Sequence, residues 1–241
     1  MSDPEPQPPA RPEYKPKAVR SYVIRAGRIT EGQKAAFDRW WSHYGLSLNN
    51  GALEPASVFG RQAPLVLEIG FGMGDSLLAM AQAEPEKDFI GIEVHPPGVG
   101  RLINAAGDAG LDNLRVYMAD ATDVLQDCIP RASIDRFQVY FPDPWHKKKH
   151  HKRRLIQLPF VRRVEPLLRP GGILHLATDW EHYAKQMLEV MNAAPGFSNL
   201  TDPGPYAERP AFRPLTKFEV RGTGLGHGVW DLLFQRRGRD V

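Results

Sequence analysis

The sequence predicts an α/β fold of the doubly wound, Rossmann-like type, with a seven-stranded, mostly parallel sheet and an antiparallel last strand. From about residue 65 onward, short β-rich runs alternate with helix-like segments, as is typical of βαβ units. A glycine-rich stretch follows the first of these runs directly, as in folds that bind a ligand at a strand-to-helix turn. The last two strand candidates have no long helix between them, which predicts the antiparallel edge.

The individual elements follow from hydrophobic periodicity and from their end signals. A helix is predicted over 30–44, because Thr30 and Gln33 have capping-box spacing and Gly45 ends the apolar pattern. Strands are predicted at 65–69, 88–94, 113–118, 134–141, 172–178, 216–221 and 228–236. Helices are predicted between them at 75–83, 96–109, 121–128, 155–168 and 181–192.

The same patterns divide the chain into three parts. Residues 1–17 contain six prolines and no apolar periodicity, so residues 1–20 are predicted to be a disordered tail. Residues 21–60 are predicted to be an extension with a short helix, and residues 61–241 the main α/β domain. The start of the chain has no apolar leader, and no run of about 18 apolar residues occurs. With Cys128 as its single cysteine, the protein is expected to be cytoplasmic and free of internal disulfides.

The formal net charge of +3 conceals an uneven distribution. Between Pro144 and Val164 the chain carries eight lysines and arginines and no acidic residue, so the remainder sums to −5. An acidic body with one basic patch predicts a localised contact with a polyanion.

Acidic residues and glycines meet at the ends of the first three predicted strands. The first strand contains Glu68 and runs into the loop that holds Gly70, Gly72 and Gly74, where glycine allows tight turns and close approach to a ligand. Glu93 closes the second strand, where a carboxylate can accept hydrogen bonds from a ribose diol. Asp120 closes the third strand, where it can accept from an adenine amino group. These residues predict an adenosine cofactor.

Asp75 distinguishes between two such cofactors. The dinucleotide fingerprint places its last glycine at position 75, where this chain has an aspartate. A pyrophosphate at the helix N-terminus would meet that carboxylate, which is an unfavourable contact between like charges. S-adenosylmethionine has no phosphate and carries cationic groups, so this cofactor is favoured over NAD.

The fourth strand is followed by Asp143, which lies between two prolines and before Trp145. Each proline restricts the backbone, so the carboxylate is held stiffly at the edge of the sheet where ligands bind. The basic run begins directly afterwards, and cations beside an aromatic ring suit phosphate contact and base stacking. No cysteine or carboxylate completes a metal site with His146, His150 and His151, so no metal is expected.

These residues carry a resemblance. The chain from about Leu65 to Arg236 resembles the bacterial tRNA (guanine-N7)-methyltransferases, which modify the variable-loop guanine at position 46. The matching stretches are LEIGFGMGDSL, DFIGIEVHPPGVG, FPDPWHKKKHHKRR, LATDWEHYA and RPLTKFEVRGTGLGHGVWDL. The resemblance implies the class I methyltransferase fold, S-adenosylmethionine as methyl donor and tRNA as partner.

The resemblance also implies roles for individual residues. Asp143 is the expected catalytic residue, and it also lies in the cofactor site. The other expected cofactor residues are Glu68, Gly70, Gly72, Gly74, Glu93 and Asp120. The expected substrate-binding residues are Lys147, Asp179, Thr216, Lys217, Phe218 and Glu219. From the charge of the basic run, RNA contacts are expected from Lys148, Lys149, His150, His151, Lys152, Arg153 and Arg154.

Three alternatives stay open at this point: a methyltransferase for another RNA or another base atom, an RNA-binding subunit without catalysis, and an NAD-dependent oxidoreductase. The first would be separated by mapping the methyl group, and the others by a cofactor titration. The favoured interpretation is a tRNA-modifying enzyme, monomeric or weakly dimeric, that binds neither a metal nor a membrane.

Overall fold

The computed structural model describes residues 20–22, 30–201, 204–216, 219 and 228–238. The proline-rich segment 1–17 lies outside these residues. Within the described part of the chain, no helix has both the length and the apolar character needed to cross a membrane.

The N-terminal extension packs onto the main α/β body. Helix α1 (Glu31–Tyr44) begins at the predicted capping box, in which Thr30 and Gln33 bind each other's backbone amides. It packs on helix α4 (Pro96–Asp108), where a Cβ on Gly107 would lie 2.2 Å from the Trp40 ring. Strand β1 (Gly45–Leu46) and helix α2 (Pro55–Phe59) follow, and neither is among the predicted elements.

The predicted βαβ alternation is confirmed. Strands β2 (Leu65–Ile69), β3 (Asp88–Ile92) and β4 (Leu114–Tyr117) alternate with helix α3 (Asp75–Ala83) and with α4. Helix α5 (Ala121–Asp127), strand β5 (Ile134–Tyr140), helix α6 (Leu158–Val164), strand β6 (Leu168–Thr178) and helix α7 (Glu181–Asn192) come next. Strands β7 (Phe197–Asn199) and β8 (Trp230–Arg236) end the described fold.

The described strands form one eight-stranded sheet in the order β1-β4-β3-β2-β5-β6-β8-β7. The first six are parallel neighbours, and β8 runs antiparallel to both β6 and β7, which confirms the predicted antiparallel edge. From the central β2 the chain first proceeds outward through β3 and β4 and later returns to β5 on the other side. This reversal makes the carboxyl ends of β2 and β5 the topological switch point, where such sheets bind ligands.

The sheet contains one more described strand than predicted, and the edge pairing differs. The prediction placed a strand at 216–221, but Thr216 lies in no strand and Glu219 is helical, while 217, 218, 220 and 221 lie outside the described residues. The described partner of β8 at the edge is β7, a segment of only three residues that is too short to show alternation.

The predicted helix over 155–168 is also too long. Helix α6 has Pro159 in its first turn, which suits a helix start, and it ends before Pro166, whose ring prevents continuation. Leu168 already belongs to β6 and pairs with Ile134.

Candidate active site

A cavity of about 280 Å³ opens at the switch point, beside the carboxyl ends of the central strands. Its wall is mainly apolar, with carboxylates at the rim. The lining side chains that matter for chemistry and shape are Tyr22, Ile69, Gly70, Ile92, Glu93, Ala119, Asp120, Val139, Asp143, Leu155 and Phe160. An apolar wall with a few acceptors at the rim suits a flat, uncharged ring that carries donors, such as adenine in an adenosine cofactor.

The glycine loop shapes one side of this cavity. Gly70, Gly72 and Gly74 all have positive φ angles, of 74°, 57° and 81°, a region that L side chains rarely adopt. A Cβ on Gly70 or Gly72 would meet no heavy atom within 4 Å, so the loop backbone faces open space. Of the three, Gly70 lines the cavity itself.

Gly98, in the first turn of α4, supports the loop from behind. A Cβ there would lie 2.0 Å from the carbonyl oxygen of Gly72, so only glycine lets the helix approach this closely. The loop is held on its other side by Glu93, whose Oε2 accepts a 2.9 Å hydrogen bond from the amide of Gly72.

Gly98→Ala is therefore expected to displace the loop and to weaken cofactor binding about tenfold or more. Overpacking of this kind typically costs about 1–3 kcal/mol. Calorimetric titration with S-adenosylmethionine measures the effect. Gly32→Ala in α1 is the matched control, because a Cβ there meets nothing within 4 Å. Affinity in Gly98→Ala equal to that of the control would contradict the proposed support of the loop.

Glu93 is fixed almost completely by backbone amides. Besides the Gly72 amide, its carboxylate accepts hydrogen bonds from the amides of Val94 at 2.7 Å and His95 at 3.0 Å. The side chain is largely buried and lines the cavity. A carboxylate held this rigidly at the end of β3 is preorganised to accept from a ribose diol.

Asp120 lies at the rim as the N-cap of α5. One carboxylate oxygen accepts from the amide of Thr122 at 2.9 Å, and the other accepts from the hydroxyl of Tyr22 at 2.8 Å. Burial and this hydrogen bond raise the pKa of Tyr22 to about 12, so its hydroxyl remains a donor at neutral pH. The predicted adenine acceptor thus already has a partner from the N-terminal segment.

Glu68 occupies a different position from the other carboxylates. It is 3% exposed, does not line the cavity, and accepts a 2.8 Å hydrogen bond from the side-chain amide of Gln138. Burial raises the pKa of Glu68 to about 7, although the bond from Gln138 and the charge of Arg136 act in the opposite direction. Its contact with the cofactor stays a prediction.

The raised pKa of Glu68 has a consequence for stability. The folded state holds a proton on Glu68 that the unfolded state loses at lower pH, so this group's contribution to stability falls between about pH 4.5 and pH 7. In Glu68→Gln the side chain does not titrate, so this loss of stability with rising pH is absent. From pH 5 to pH 8, the free energy of unfolding of the variant is expected to rise relative to wild type by on the order of 2 kcal/mol.

Urea denaturation at both pH values measures this difference. Glu84→Gln is the control: burial opposes ionisation of Glu84, but hydrogen bonds from Arg136 and Lys87 hold its pKa below the usual value. Glu84 loses its stabilising contribution only at still lower pH. The free energy of unfolding of Glu84→Gln should therefore differ from that of wild type by a constant amount from pH 5 to 8. A constant difference for Glu68→Gln as well would contradict the buried, protonated carboxyl.

Asp143 lies in a turn whose backbone is strained on both sides of this residue. Phe141 and Trp145 have positive φ angles of 50° and 45°, which cost non-glycine residues about 1–3 kcal/mol each. Strain of this kind persists where the surroundings enforce it, and it clusters at functional sites. The turn leaves Asp143 exposed at the rim of the cavity.

The basic run after Asp143 forms a short 3₁₀ helix (Lys148–Arg153) beside the site. Lys147, Lys148, Lys149 and Lys152 are exposed, and His150 and His151 are half-buried. Burial and the nearby charge of Arg154 lower the pKa of His151, which leaves it neutral at pH 7. The positive surface of this segment therefore comes mainly from its four lysines.

Arg154 is a correction to the predicted RNA contacts. Its side chain is 2% exposed, donates to the carbonyl of Pro144 at 2.7 Å, and also contacts Gln186 and Tyr183. A guanidinium buried in this way cannot reach a phosphate, so Arg154 holds the turn after Asp143 against helix α7. Arg153 stacks on Trp145, with its Cζ 3.8 Å from the ring centroid, and donates to the carbonyls of Arg20 and Tyr22.

The described members of the predicted substrate set lie at the ends of neighbouring strands or in the part of the chain before β8. Asp179 follows β6 and is half-buried, close to the turn of Asp143 because Tyr140 pairs with Ala177. Thr216 is half-buried as well. Lys217 and Phe218 lie outside the described residues. Glu219 is a correction: it is 2% exposed and both its oxygens accept from Arg213, so it is a buried ion-pair partner rather than a surface acceptor for guanine.

Two residues of the site region were missed by the sequence analysis. Tyr22 carries no signal in the sequence, since it lies in a stretch without periodicity. Arg213 stands in the motif RPLTKFE, but an arginine in a loop gives no indication that it is buried. Among the residues that the structure describes, no cluster of three or more histidine, cysteine or acidic side chains is placed to hold a metal.

Two solved structures resemble this fold. The 16S rRNA methyltransferase KamB matches with a TM-score of 0.52 and 16% identity, covering 90% of this chain and 99% of that one. An rRNA methylase from Streptococcus thermophilus matches with a TM-score of 0.50 and 12% identity, covering 73% and 88%. At these identities the likeness shows the fold alone, which is that of the class I methyltransferases.

Sequence similarity is more specific than the fold. Residues 62–232 match the model of a family described as "Putative methyltransferase". The tRNA (guanine-N(7)-)-methyltransferase of Saccharophagus degradans is 64% identical over 94% of this chain and 99% of its own length. Those of Marinobacter nauticus and Alcanivorax borkumensis are 63% and 60% identical, over 91% and 92% of this chain and 92% of their own lengths. The chain belongs to the tRNA (guanine-N(7)-)-methyltransferase family, whose methyl donor is S-adenosylmethionine, as predicted.

Proposed function

We propose that this protein transfers a methyl group from S-adenosylmethionine to N7 of guanine 46 in the variable loop of tRNA. The observation that carries the proposal is a single juxtaposition. An exposed carboxylate, Asp143, stands in a strained turn at the rim of the cavity, and a lysine-rich segment begins four residues later. The relatives named above, identical to this chain at about six positions in ten, are tRNA (guanine-N(7)-)-methyltransferases.

The fit of the cofactor rests on the hydrogen-bond acceptors and the open backbone that line the cavity. Glu93 offers a rigid acceptor, Asp120 lines the same cavity, and the open backbone of Gly70 leaves room where a side chain would intrude. Asp75, in the first turn of α3, is paired with Arg101, so its charge is balanced and does not decide between cofactors. When bound, S-adenosylmethionine supplies a methyl group on a positively charged sulfur.

Guanine N7 has a lone pair and no proton, so it can accept the methyl group without a general base. The bond to N7 forms while the bond to sulfur breaks, and the positive charge passes to the imidazole ring of guanine. The protein's contribution is therefore orientation of the base and stabilisation of the developing charge. Asp143 is suited to either task, because its carboxylate can accept from guanine N–H groups or stabilise the cation.

Guanine selection is assigned to Asp179, and Thr216 is kept as a proposed substrate contact. Asp179 is at the same edge of the sheet as Asp143, and a carboxylate there can accept from N1–H and from the exocyclic amino group of guanine. Adenine lacks this pair of donors. Lys147 and the exposed lysines that follow it would hold the tRNA backbone, since phosphate contacts contribute most of the affinity without reading sequence.

The test is methyl transfer to an unmodified tRNA transcript, with the product mapped by borohydride and aniline cleavage at 7-methylguanosine. The expected result is cleavage at position 46 and no incorporation into a transcript with adenine at that position. Cleavage at a different guanine would place the methyl group on another base of the tRNA, and label without cleavage would place it on an atom other than guanine N7. A protein that binds tRNA but gives no cofactor titration would be an RNA-binding subunit.

A further inference from the structure

Polar side chains are buried on one part of the sheet, where strands β5, β6 and β8 lie side by side. On the face that packs against α1, α3 and α4, the strands β5, β6 and β8 bear polar side chains that are almost completely buried. They include Gln138, His175 and Asp231, which are 0%, 0% and 2% exposed. The loop before β8 covers them: Phe212 packs edge-on against His175, with ring centroids 5.5 Å apart, and Arg213 binds Asp231.

These side chains form a chain in which each lies within hydrogen-bonding distance of the next. It starts at Glu68 and Gln138 and passes through the hydroxyl of Tyr140, which lies 3.1 Å from Gln138 Oε1 and 2.9 Å from His175 Nδ1. His175 Nε2 lies 2.7 Å from Asp231 Oδ1. Burial lowers the pKa of His175, although the hydrogen bond to Asp231 opposes this.

Arg213 ends this chain with two paired carboxylates. Its guanidinium donates to both oxygens of Asp231, at 2.8 Å each, and to both oxygens of Glu219, at 2.6 and 2.7 Å. The planar fork of five N–H donors binds both carboxylates bidentately, through four hydrogen bonds, which a lysine ammonium with three donors cannot do. The side chain of Arg213, which is 0% exposed, thus connects β8 to the segment that follows Arg213 in the sequence.

The segment held by Arg213 is the predicted substrate segment. Glu219 Oε2 accepts from the amide of Thr216 at 2.8 Å, and the amide of Glu219 donates to the Thr216 hydroxyl at 3.2 Å. Lys217 and Phe218 lie between these two in the sequence. Arg213 also lies near the catalytic turn, with its Cζ 5.7 Å from the ring centroids of both Tyr140 and Phe141.

We propose that Arg213 is a positioning residue, which fixes Thr216 and Glu219 against the strand end that carries Asp143 and thereby aligns guanine with the methyl donor. The proposal rests on the function proposed above. Arg213 acts through its partners and touches neither tRNA nor cofactor. A buried ion pair that only filled the core would contribute to folding but would have no selective effect on the transfer step.

Arg213→Lys tests this role, with Arg136→Lys as the matched control. Arg136 is a buried arginine on the same face, but it binds Glu84 and Gln138 and has no described bond to Thr216 or Glu219. In Arg213→Lys, kcat is expected to fall at least 30-fold, while KM for tRNA and the Kd of the cofactor change less than threefold. The loss falls on kcat because phosphate contacts elsewhere provide most of the tRNA affinity. In the control, kcat should fall less than threefold.

A double-mutant cycle separates positioning from general destabilisation. Because Arg213 is proposed to act through Glu219, Arg213→Lys is expected to reduce kcat less than threefold further when Glu219→Gln is already present. Independent, multiplicative losses would overturn the proposal, and so would equal losses in Arg213→Lys and Arg136→Lys. If Arg213→Lys does not fold, Arg209→Ala replaces it, since exposed Arg209 donates to the carbonyl of Arg213 at 2.6 Å. A several-fold loss of kcat would then support the role, and wild-type kcat would overturn it.

Amide hydrogen exchange provides a readout that does not depend on methylation. The amides of Thr216 and Glu219 are expected to exchange at least tenfold faster in Arg213→Lys than in wild type or in Arg136→Lys. Unchanged exchange would overturn the positioning role. If the wild-type protein methylates no tRNA, the proposed function fails, and the exchange result still decides whether Arg213 fixes this segment.

Discussion

Replacing Asp143 by alanine is expected to reduce methyl transfer to tRNA about 100-fold or more, while the Kd of S-adenosylmethionine changes less than fivefold. A loss of this size corresponds to about 2.7 kcal/mol of transition-state stabilisation. The reason is the position of the carboxylate: it is exposed at the rim of the cavity, in a turn that Arg154 holds in place although Phe141 and Trp145 have strained backbones. Single-turnover assays and a cofactor titration on the same preparation provide the two measurements.

Asp143→Asn distinguishes the two tasks assigned to this carboxylate. Asparagine keeps an oxygen acceptor but removes the negative charge, so recovery of more than a tenth of wild-type activity would show that Asp143 mainly orients the base. Activity as low as in the alanine variant would show that charge is needed. Near-normal transfer by Asp143→Ala would contradict the catalytic assignment altogether.

Replacing Lys147, Lys148 and Lys149 together by alanine is expected to weaken tRNA binding about tenfold or more. In the same variant, the slope of log K for tRNA binding against log salt concentration should become shallower by roughly 2 to 3, because each phosphate contact releases condensed counterions. All three side chains are exposed beside the catalytic turn. Filter binding at several salt concentrations gives both quantities.

A triple variant of Lys34, Arg169 and Lys185 to alanine is the charge-matched control. These exposed cations each pair with a nearby carboxylate and lie outside the basic segment. Their removal changes the net charge by the same amount, so a non-specific effect of charge would appear equally in both variants. An unchanged salt slope in the Lys147–Lys149 variant would mean that tRNA binds elsewhere on the surface.

The parts of the fold that follow from local patterns could be predicted from the sequence. The capping box at Thr30, the strand at 65–69 and the helices at 75–83 and 181–192 have the predicted bounds or lie within one residue of them. Their signals are local, since they depend on periodicity and on capping residues within a few positions. The acidic strand ends could be predicted for the same reason, because parallel strands bring their carboxyl ends to one edge.

Features that depend on contacts between distant segments could not be predicted. The bond from Tyr22 to Asp120 joins residues 98 positions apart, and Arg154 is buried against Gln186, 32 positions away. Within a run of lysines, nothing in the sequence distinguishes the one arginine that turns inward. Likewise, the strand at 197–199 forms by pairing with β8, and the pair Arg213–Glu219 is anchored to the sheet through Asp231 on β8.

Methyl transfer to N7 of one guanine in tRNA is tested most directly with a tRNA that has 7-deazaguanosine at position 46. This base keeps its Watson–Crick edge but has carbon in place of N7, so it lacks the lone pair that would accept the methyl group. With labelled S-adenosylmethionine, we expect full incorporation into the tRNA with guanosine at 46 and none into the 7-deaza tRNA, which should bind with a similar Kd. Equal incorporation into both would contradict the account, because the methyl group would then go to a different atom.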